Sequence, residues 1–131
     1  MAIIDLDTLL EKLEPVLDLE EYVFCTVNGE LKNYFGLNPL ATFVEPEGLT
    51  LVLTKVQAQR LGACTDSTFK RITLSVYSSL EAVGLTAVVA SALAKEGISA
   101  NVIAAYHHDH VFVPTDKANQ AVQILTKLRG S

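Results

Sequence analysis

The chain has 131 residues, 10 Lys+Arg against 15 Asp+Glu, and a formal net charge of −5 at neutral pH. Half of it is apolar and 19% is charged, which excludes disorder by composition. The acidic balance, with no Lys/Arg cluster to replace phosphate counterions, excludes a nucleic-acid backbone as partner. This length suits one domain, or two small modules on a shared core, without metal or disulfide staples. Two cysteines, Cys25 and Cys64, show no zinc-ligand spacing; Cys25 lies in an apolar alternating run and reads as a small core residue. Met1–Asp5 lacks a basic stretch and turns acidic at once, and the longest apolar run, Gly84–Ala94, is too short to span a bilayer. The expectation is a cytoplasmic protein that does not enter membranes.

In chain order, Leu6, Leu9, Leu10 and Leu13 recur at helical spacing behind the N-cap candidate Asp5, and Pro15 ends that helix. Tyr22–Val27 reads as a strand closed by Asn28-Gly29, and 30–39 as a loop. Thr42–Glu45 and Leu49–Leu53 form a hairpin around Pro46-Glu47-Gly48. Thr54 then caps a helix, Lys55–Leu61, with Gly62 at its end. Ala63–Ser67 reads as a linker, and alternation predicts a strand over Ile72–Tyr77. Leu85, Val88, Val89, Ala92 and Leu93 carry the next helix, ended by Gly97. A strand over Ile98–Tyr106 follows, and His107-His108-Asp109 turns the chain into Val111-Phe112-Val113. Beyond Pro114, Thr115 or Asp116 caps a last helix with the face Ala118, Ala121, Val122, Leu125 and Leu128.

The first hairpin overlays the second at a shift of 61, placing Gly48 on Asp109, Leu51 on Phe112 and Thr54 on Thr115 (109 − 48 = 115 − 54 = 61). The order of elements matches an α+β, ferredoxin-like plan in tandem: βαββαβ modules with antiparallel sheets and helices on one face. The division falls at 1–65 and 66–131. Two full modules need more strands than the pattern shows. Either the modules share strands, or the segment before Tyr22 donates one to the module that ends at Leu128.

From Ile72 onward the chain resembles an ACT domain. The resemblance rests on the strand Ile72–Tyr77, on Ser78-Ser79-Leu80-Glu81-Ala82-Val83-Gly84-Leu85 leading into an apolar helix, on Gly97–Val102, and on Tyr106–Pro114. Tyr22–Val27, Ala41-Thr42-Phe43 and Glu47–Leu51 resemble the first half of small stand-alone bacterial proteins with tandem ACT-like halves. That resemblance implies a regulatory module for a small molecule, an amino acid, received between the first strand and first helix. It also implies side-by-side association of copies. The implied ligand-binding residues are Ser78, Ser79, Leu80, Glu81, Val83, Gly84 and Leu85, with Asn101 and Ile103 on the neighbouring strand. A helix N-terminus favours a carboxylate, and Gly84 lets backbone approach closely. Ser78-Ser79 stands where the family often carries Asp before a Pro-Gly-type turn, so Glu81 is the substitute for an ammonium contact.

Each of these residues also has a plain reading. Gly84 serves a tight turn equally well, Ser78 and Ser79 make local turn bonds, Glu81 is a solvated carboxylate, and Asn101 bonds backbone. Strand alternation separates His107 from His108 and His110, so the histidines read as a polar hairpin tip and no metal or other cofactor is expected. No GxSxG, P-loop, GxGxxG or HExxH occurs, so no catalytic residues are assigned and the expected protein is not an enzyme. The alternative is an assembly module with a vestigial pocket. In either case the uncharged strand Tyr22–Val27 is the candidate edge for a homo-oligomer, most simply a dimer.

Overall fold

The computed structural model describes residues 2–129. It divides into two compact units that do not follow the linear division at 65/66. One unit is continuous, Glu20–Phe69; the other joins the residues up to Leu19 with those from Lys70 onward. The first is therefore inserted into the second.

The discontinuous unit begins with α1 (Leu6–Lys12), whose N-cap Asp5 accepts from the Thr8 amide at 3.0 Å. Pro15 stops the helix, and Pro15–Leu17 becomes β1, antiparallel to β5 (Phe69–Leu74), with Val16 opposite Thr73. This is the strand that the C-terminal half lacks. It was legible only as one of two alternatives, because three residues carry no period. Asp18 completes the seam: its amide donates to the Arg71 carbonyl at 2.9 Å and its carboxylate pairs with the Arg71 guanidinium at 3.1 Å. After α3 (Leu85–Lys95), β6 (Asn101–Ala104) and β7 (Asp109–Pro114) form a hairpin, and the strands run in the order β1-β5-β7-β6. A 3-10 turn, Thr115–Lys117, leads into α4 (Ala118–Thr126). Thr115 and Asp116 thus lie inside that turn and do not cap α4. Leu9, Leu13, Ile72, Leu74, Val89, Leu93, Val111, Val113 and Leu125 interlock in one core, so α1 packs against the C-terminal half of the sequence.

In the inserted unit, β2 (Tyr22–Val27) pairs with β4 (Gly48–Thr54) along its whole length, and β4 pairs on its other side with β3 (Ala41–Glu45). Tyr22 also faces Phe69. On the side away from β4 only Tyr22 of β2 is paired among the described residues, so Val23–Val27 have a strand neighbour on one side alone, as β3 has. Gly48 opens β4 where a Cβ would lie 2.9 Å from the Val27 carbonyl oxygen. Thr54 and Gln57 form a reciprocal capping box on α2 (Lys55–Leu61). The expected loop at 30–39 contains a 3-10 helix, Leu31–Leu37, ended by Asn38 in the left-handed region at φ 48°. The small core is Val23, Leu49, Leu51, Leu53 and Ala58.

The internal repeat is present, in a different register. Ala41 pairs with Val52 and Asn101 with Phe112, so the hairpins superpose at a shift of 60 (101 − 41 = 112 − 52 = 60). The expected shift of 61 is one residue out, and in a strand one residue exchanges the two faces. Leu51 belongs to the core on the α2 side, whereas Phe112 lies between Val111 and Val113 and faces away from the helices. At a shift of 60, Leu51 falls on Val111, Leu53 on Val113 and Ala58 on Ala118. Val52 falls on Phe112, and both are buried on the side away from the helices.

Two strands differ in extent from the sequence reading. The strand predicted over Ile72–Tyr77 spans Phe69–Leu74: Ser75 still donates to the Glu14 carbonyl at 2.8 Å, and the Val76 amide then folds back onto the Leu74 carbonyl at 2.8 Å. The one predicted over Ile98–Tyr106 shortens to Asn101–Ala104.

Candidate functional site

The chain between β5 and α3 is held by the N-terminal segment. Ile3 bridges Ser78 in parallel: its amide donates to the Tyr77 carbonyl at 2.7 Å, and the Ser79 amide donates to its carbonyl at 2.9 Å. Ser78 is 7% exposed, the one buried polar side chain among the described residues. Its hydroxyl donates to the Asp109 carboxylate on β7. Burial raises the Asp109 pKa above the ordinary carboxylate value, while the Ser78 bond and the nearby His108 oppose the rise. Ser79 Oγ accepts from the Glu81 amide at 3.1 Å and the Ser79 carbonyl from the Ala82 amide at 3.0 Å, closing a polar turn. Gly84 caps α3 at φ 105°, and no side chain caps that helix. The first-turn amides therefore face the turn as donors with the positive end of the dipole.

The predicted residues are only partly brought together. Ser78, Ser79, Glu81 and Gly84 share the turn. Leu85 faces inward at 3% exposure, while Leu80 and Val83 stand out at 66% and 82%. The space beside the bare Cα of Gly84, where a ligand was expected to lie, holds the Leu6 side chain; a Cβ there would meet Leu6 Cδ2 at 3.0 Å. Asn101 and Ile103 sit opposite Phe112 and His110, while Val102 between them packs into the core under the helices. Both thus lie on the sheet face away from α3. Asn101 is exposed, its side-chain amide 3.4 Å from the Phe112 carbonyl.

The hairpin tip completes the site. His107 lies 5.4 Å from Tyr77 and 5.0 Å from Tyr106 between ring centres, and His108 Nδ1 donates to the Val76 carbonyl at 3.3 Å. A hydrogen bond between the phenols of Tyr77 and Tyr106 raises the Tyr77 pKa. In the linear sequence the histidines read as a polar hairpin tip with no metal expected, and the turn at Ser78 as a separate place. The signal that joins them is topological: the β6–β7 connection and the end of β5 fall at one end of the sheet. No group of three or more His, Cys, Asp or Glu that could hold a metal ion occurs among the described residues. No helix among them is long and apolar enough to cross a membrane.

Comparisons with known proteins agree with this architecture. Two family models described as ACT domain match residues 1–70 and 68–127. A Vibrio cholerae protein, VC0802, described as of unknown function and a possible transport protein, is 55% identical over 95% of both chains, with a TM-score of 0.87. The regulatory subunit of aspartate kinase from Thermus flavus superposes with a TM-score of 0.63 at 12% identity, over 88% of this chain and 96% of that one. Aspartate kinase from Clostridium acetobutylicum gives 0.64 at 12% identity, over 90% of this chain and 34% of the enzyme. At such identities the likeness to the kinases is one of fold. No curated protein matches the chain.

Proposed function

The chain belongs to the ACT-domain family, and from that premise we propose that it is a non-catalytic cytoplasmic regulator that senses an amino acid at the turn between β5 and α3. The observation that carries this reading is the uncapped start of α3 beneath the polar turn Ser78–Gly84, in a module matched by an ACT model. Its amides and dipole suit a carboxylate without any basic side chain. Ser79 accepts from the Glu81 amide within the turn, and the exposed carboxylate of Glu81 suits an ammonium group. Leu80 and Val83 offer apolar surface to the ligand side chain. Asn101 and Ile103, on the opposite face of the sheet, make no contact in this seat. Because Leu6 fills the space at Gly84, that glycine serves the turn, and the ligand approaches from the side of Glu81 and Val83.

The regulatory step is differential binding: a ligand that fits the turn with the N-terminal bridge at Ile3 in place stabilises that arrangement over any other. The test is a thermal-shift panel of the proteinogenic amino acids on the full chain. A ligand at a hundred times its dissociation constant adds about 2.7 kcal/mol of stability. Glu81→Gln and Val83→Lys, both at exposed positions, are expected to remain folded and to lose the shift. A panel without any shift overturns the reading.

A further inference from the structure

The residues just beyond β5 carry a cover supplied by the chain's own N-terminal segment. Ala2, Ile3 and Ile4 precede the Asp5 cap of α1 and form a strap that bridges the turn through Ile3. The Ile3 amide donates to the Tyr77 carbonyl at 2.7 Å, and its carbonyl accepts from the Ser79 amide at 2.9 Å. The bridge is isolated, one residue long, and its partner Ser78 is buried. Ala2, Ile3 and Ile4 have no polar side-chain atom, so main-chain bonds and apolar contact are all that can hold them. The Ile3 side chain packs partly buried against the core of this unit, while Ile4 is 59% exposed. α1 is secured without the strap: Asp5 accepts from the Thr8 amide at 3.0 Å and hydroxyl at 2.7 Å, and Leu9 and Leu13 are fully buried. Asp5 is thus a hinge, and a segment held so lightly lies at the low end of a fold's local stabilities.

We infer that the strap is an autoinhibitory contact: Ile3 stands in for a free α-amino acid with an aliphatic side chain, which takes the Tyr77–Ser79 edge when the strap lifts. The N–H and C=O that Ile3 uses belong to one residue, so the edge already accepts from the nitrogen and donates to the oxygen of an N–Cα–C–O unit. A free amino acid carries the same atoms in the same order, with an ammonium group for the amide and a carboxylate for the carbonyl. Both bonds then become charge-assisted, about twice as strong as neutral ones. The length of the seat selects the occupant. An extended peptide is held by a ladder of main-chain bonds, whereas pairing here stops at a single bridge, which suits one amino acid. The side chain follows from what Ile3 itself packs against, which is apolar core. The strap also sets the concentration at which the seat opens. A short tether holds Ile3 at an effective concentration of about millimolar or more, and a free amino acid must reach that range to displace it. The seat uses neither the α3 amides nor Glu81 and Val83, so it stands or falls separately from the ligand reading above. A ligand at α3 that keeps the bridge and one that displaces Ile3 oppose each other through the strap.

Amide-resolved NMR of the full chain tests it, with L-isoleucine as the probe. In the wild type, isoleucine is expected to move the Ser79 amide signal, with half-saturation at about millimolar concentration or above. Ile3→Pro has no N–H for the Tyr77 carbonyl, and Ile3→Asp has a carboxylate that does not pack against the core. In both, half-saturation is expected at a concentration at least about tenfold lower. Without ligand, the Ser79 amide is expected to exchange with solvent at least about tenfold faster in both variants. The Leu9 amide, bonded to the Asp5 carbonyl at 2.9 Å inside α1, is expected to stay protected. Ile4→Ala is expected to match the wild type. L-Glutamate, with the same main chain and a charged side chain, is expected to bind at least about tenfold more weakly than isoleucine. No tightening in either Ile3 variant, a Ser79 signal that isoleucine leaves in place, glutamate equal to isoleucine, or Leu9 protection lost with the strap overturns the proposal. Signals that move at Leu85 and Thr86 but not at Ser79 also overturn it, and assign the ligand to the α3 amides instead.

Discussion

The two units share a hairpin and the helix that follows it, yet they differ in what lies between the first strand and that hairpin. In the inserted unit this is a seven-residue 3-10 helix, Leu31–Leu37; in the other it is the eleven-residue α3. Of these two, α3 has the length and aligned amides to present a dipole to a polar turn. The cores differ in step: among the described residues, fourteen buried ones interlock in the discontinuous unit and five in the inserted one.

The largest test of this contrast is to remove one unit. The Asp18 amide and the Arg71 carbonyl are 2.9 Å apart, so the ends of the insertion lie side by side. Deleting 20–69 and closing the gap with a short Gly-Ser linker is expected to leave a cooperatively folding protein, measured by urea denaturation. The fragment 68–131, which lacks α1 and β1, is expected to stay unfolded. If that fragment folds as cooperatively as the full chain, the shared core is not needed.

Next in size is Leu13→Ala. Leu13 is fully buried among residues of the C-terminal half, so this N-terminal substitution is expected to cost about 2–5 kcal/mol. Proteolysis is expected to show the loss first at α3 and α4. A cost under about 1 kcal/mol would separate α1 from that core. Gly84→Val probes the same segment: a β-branched residue at φ 105° with its Cβ against Leu6 is expected to destabilise by about 1–3 kcal/mol. It therefore reports on the N-terminal clasp in a thermal melt, and Glu81→Gln is the cleaner probe of ligand. In the inserted unit, Thr54→Ala removes the capping box and is expected to cost about 1 kcal/mol.

Much of this organisation could be read from the residues. The amphipathic helices, β2, the first hairpin and the cap at Thr54 follow local periodicity and turn chemistry, which act over a few neighbours. What could not be read depends on partners distant in sequence. Pro15–Leu17 is a strand because β5 lacks a neighbour there, and Ser78 is buried because Ile3 lies across it. The repeat was visible but a residue out of register, since Gly48 and Asp109 both begin a strand while the loops before them differ in length. Of the site, the turn and the start of α3 were legible from a strand ending in a polar run before an apolar helix. The gathering of Tyr77, His107 and Asp109 around it needed the topology. Asn101 and Ile103 were placed on the correct strand, yet the phase of β6, which sends Val102 inward, was not determined by four residues with little alternation.

The smallest expected effect distinguishes the units at a single equivalent position. At the shift of 60, Thr50 on β4 corresponds to His110 on β7, both facing away from the helices. Thr50 bonds Glu45 and does not titrate near neutrality, whereas His110 Nδ1 lies 2.9 Å from the Thr73 hydroxyl. Desolvation, then the positive charges of Arg71 and His108, lower the His110 pKa below its ordinary 6.5. The folded state therefore holds the neutral imidazole while the unfolded chain takes up a proton more readily. Its stabilising contribution is present above the unfolded pKa and is lost as pH falls through the folded one. His110→Gln keeps a polar partner for Thr73 and removes the titration. Wild type is expected to lose stability relative to this variant as pH falls below about 6.5, read as a difference between their denaturation midpoints across a pH series. Asp109 bends the same curves in the opposite sense at lower pH. Its raised pKa means that its contribution is complete below the unfolded value of 3.8 and is lost as pH rises through the folded one. The two groups separate by substitution, since Asp109 remains in His110→Gln and cancels in the comparison. Parallel curves for wild type and variant across that interval would show that His110 titrates alike in the folded and unfolded chains, and that the strand position is as indifferent to protons in this unit as Thr50 is in the other.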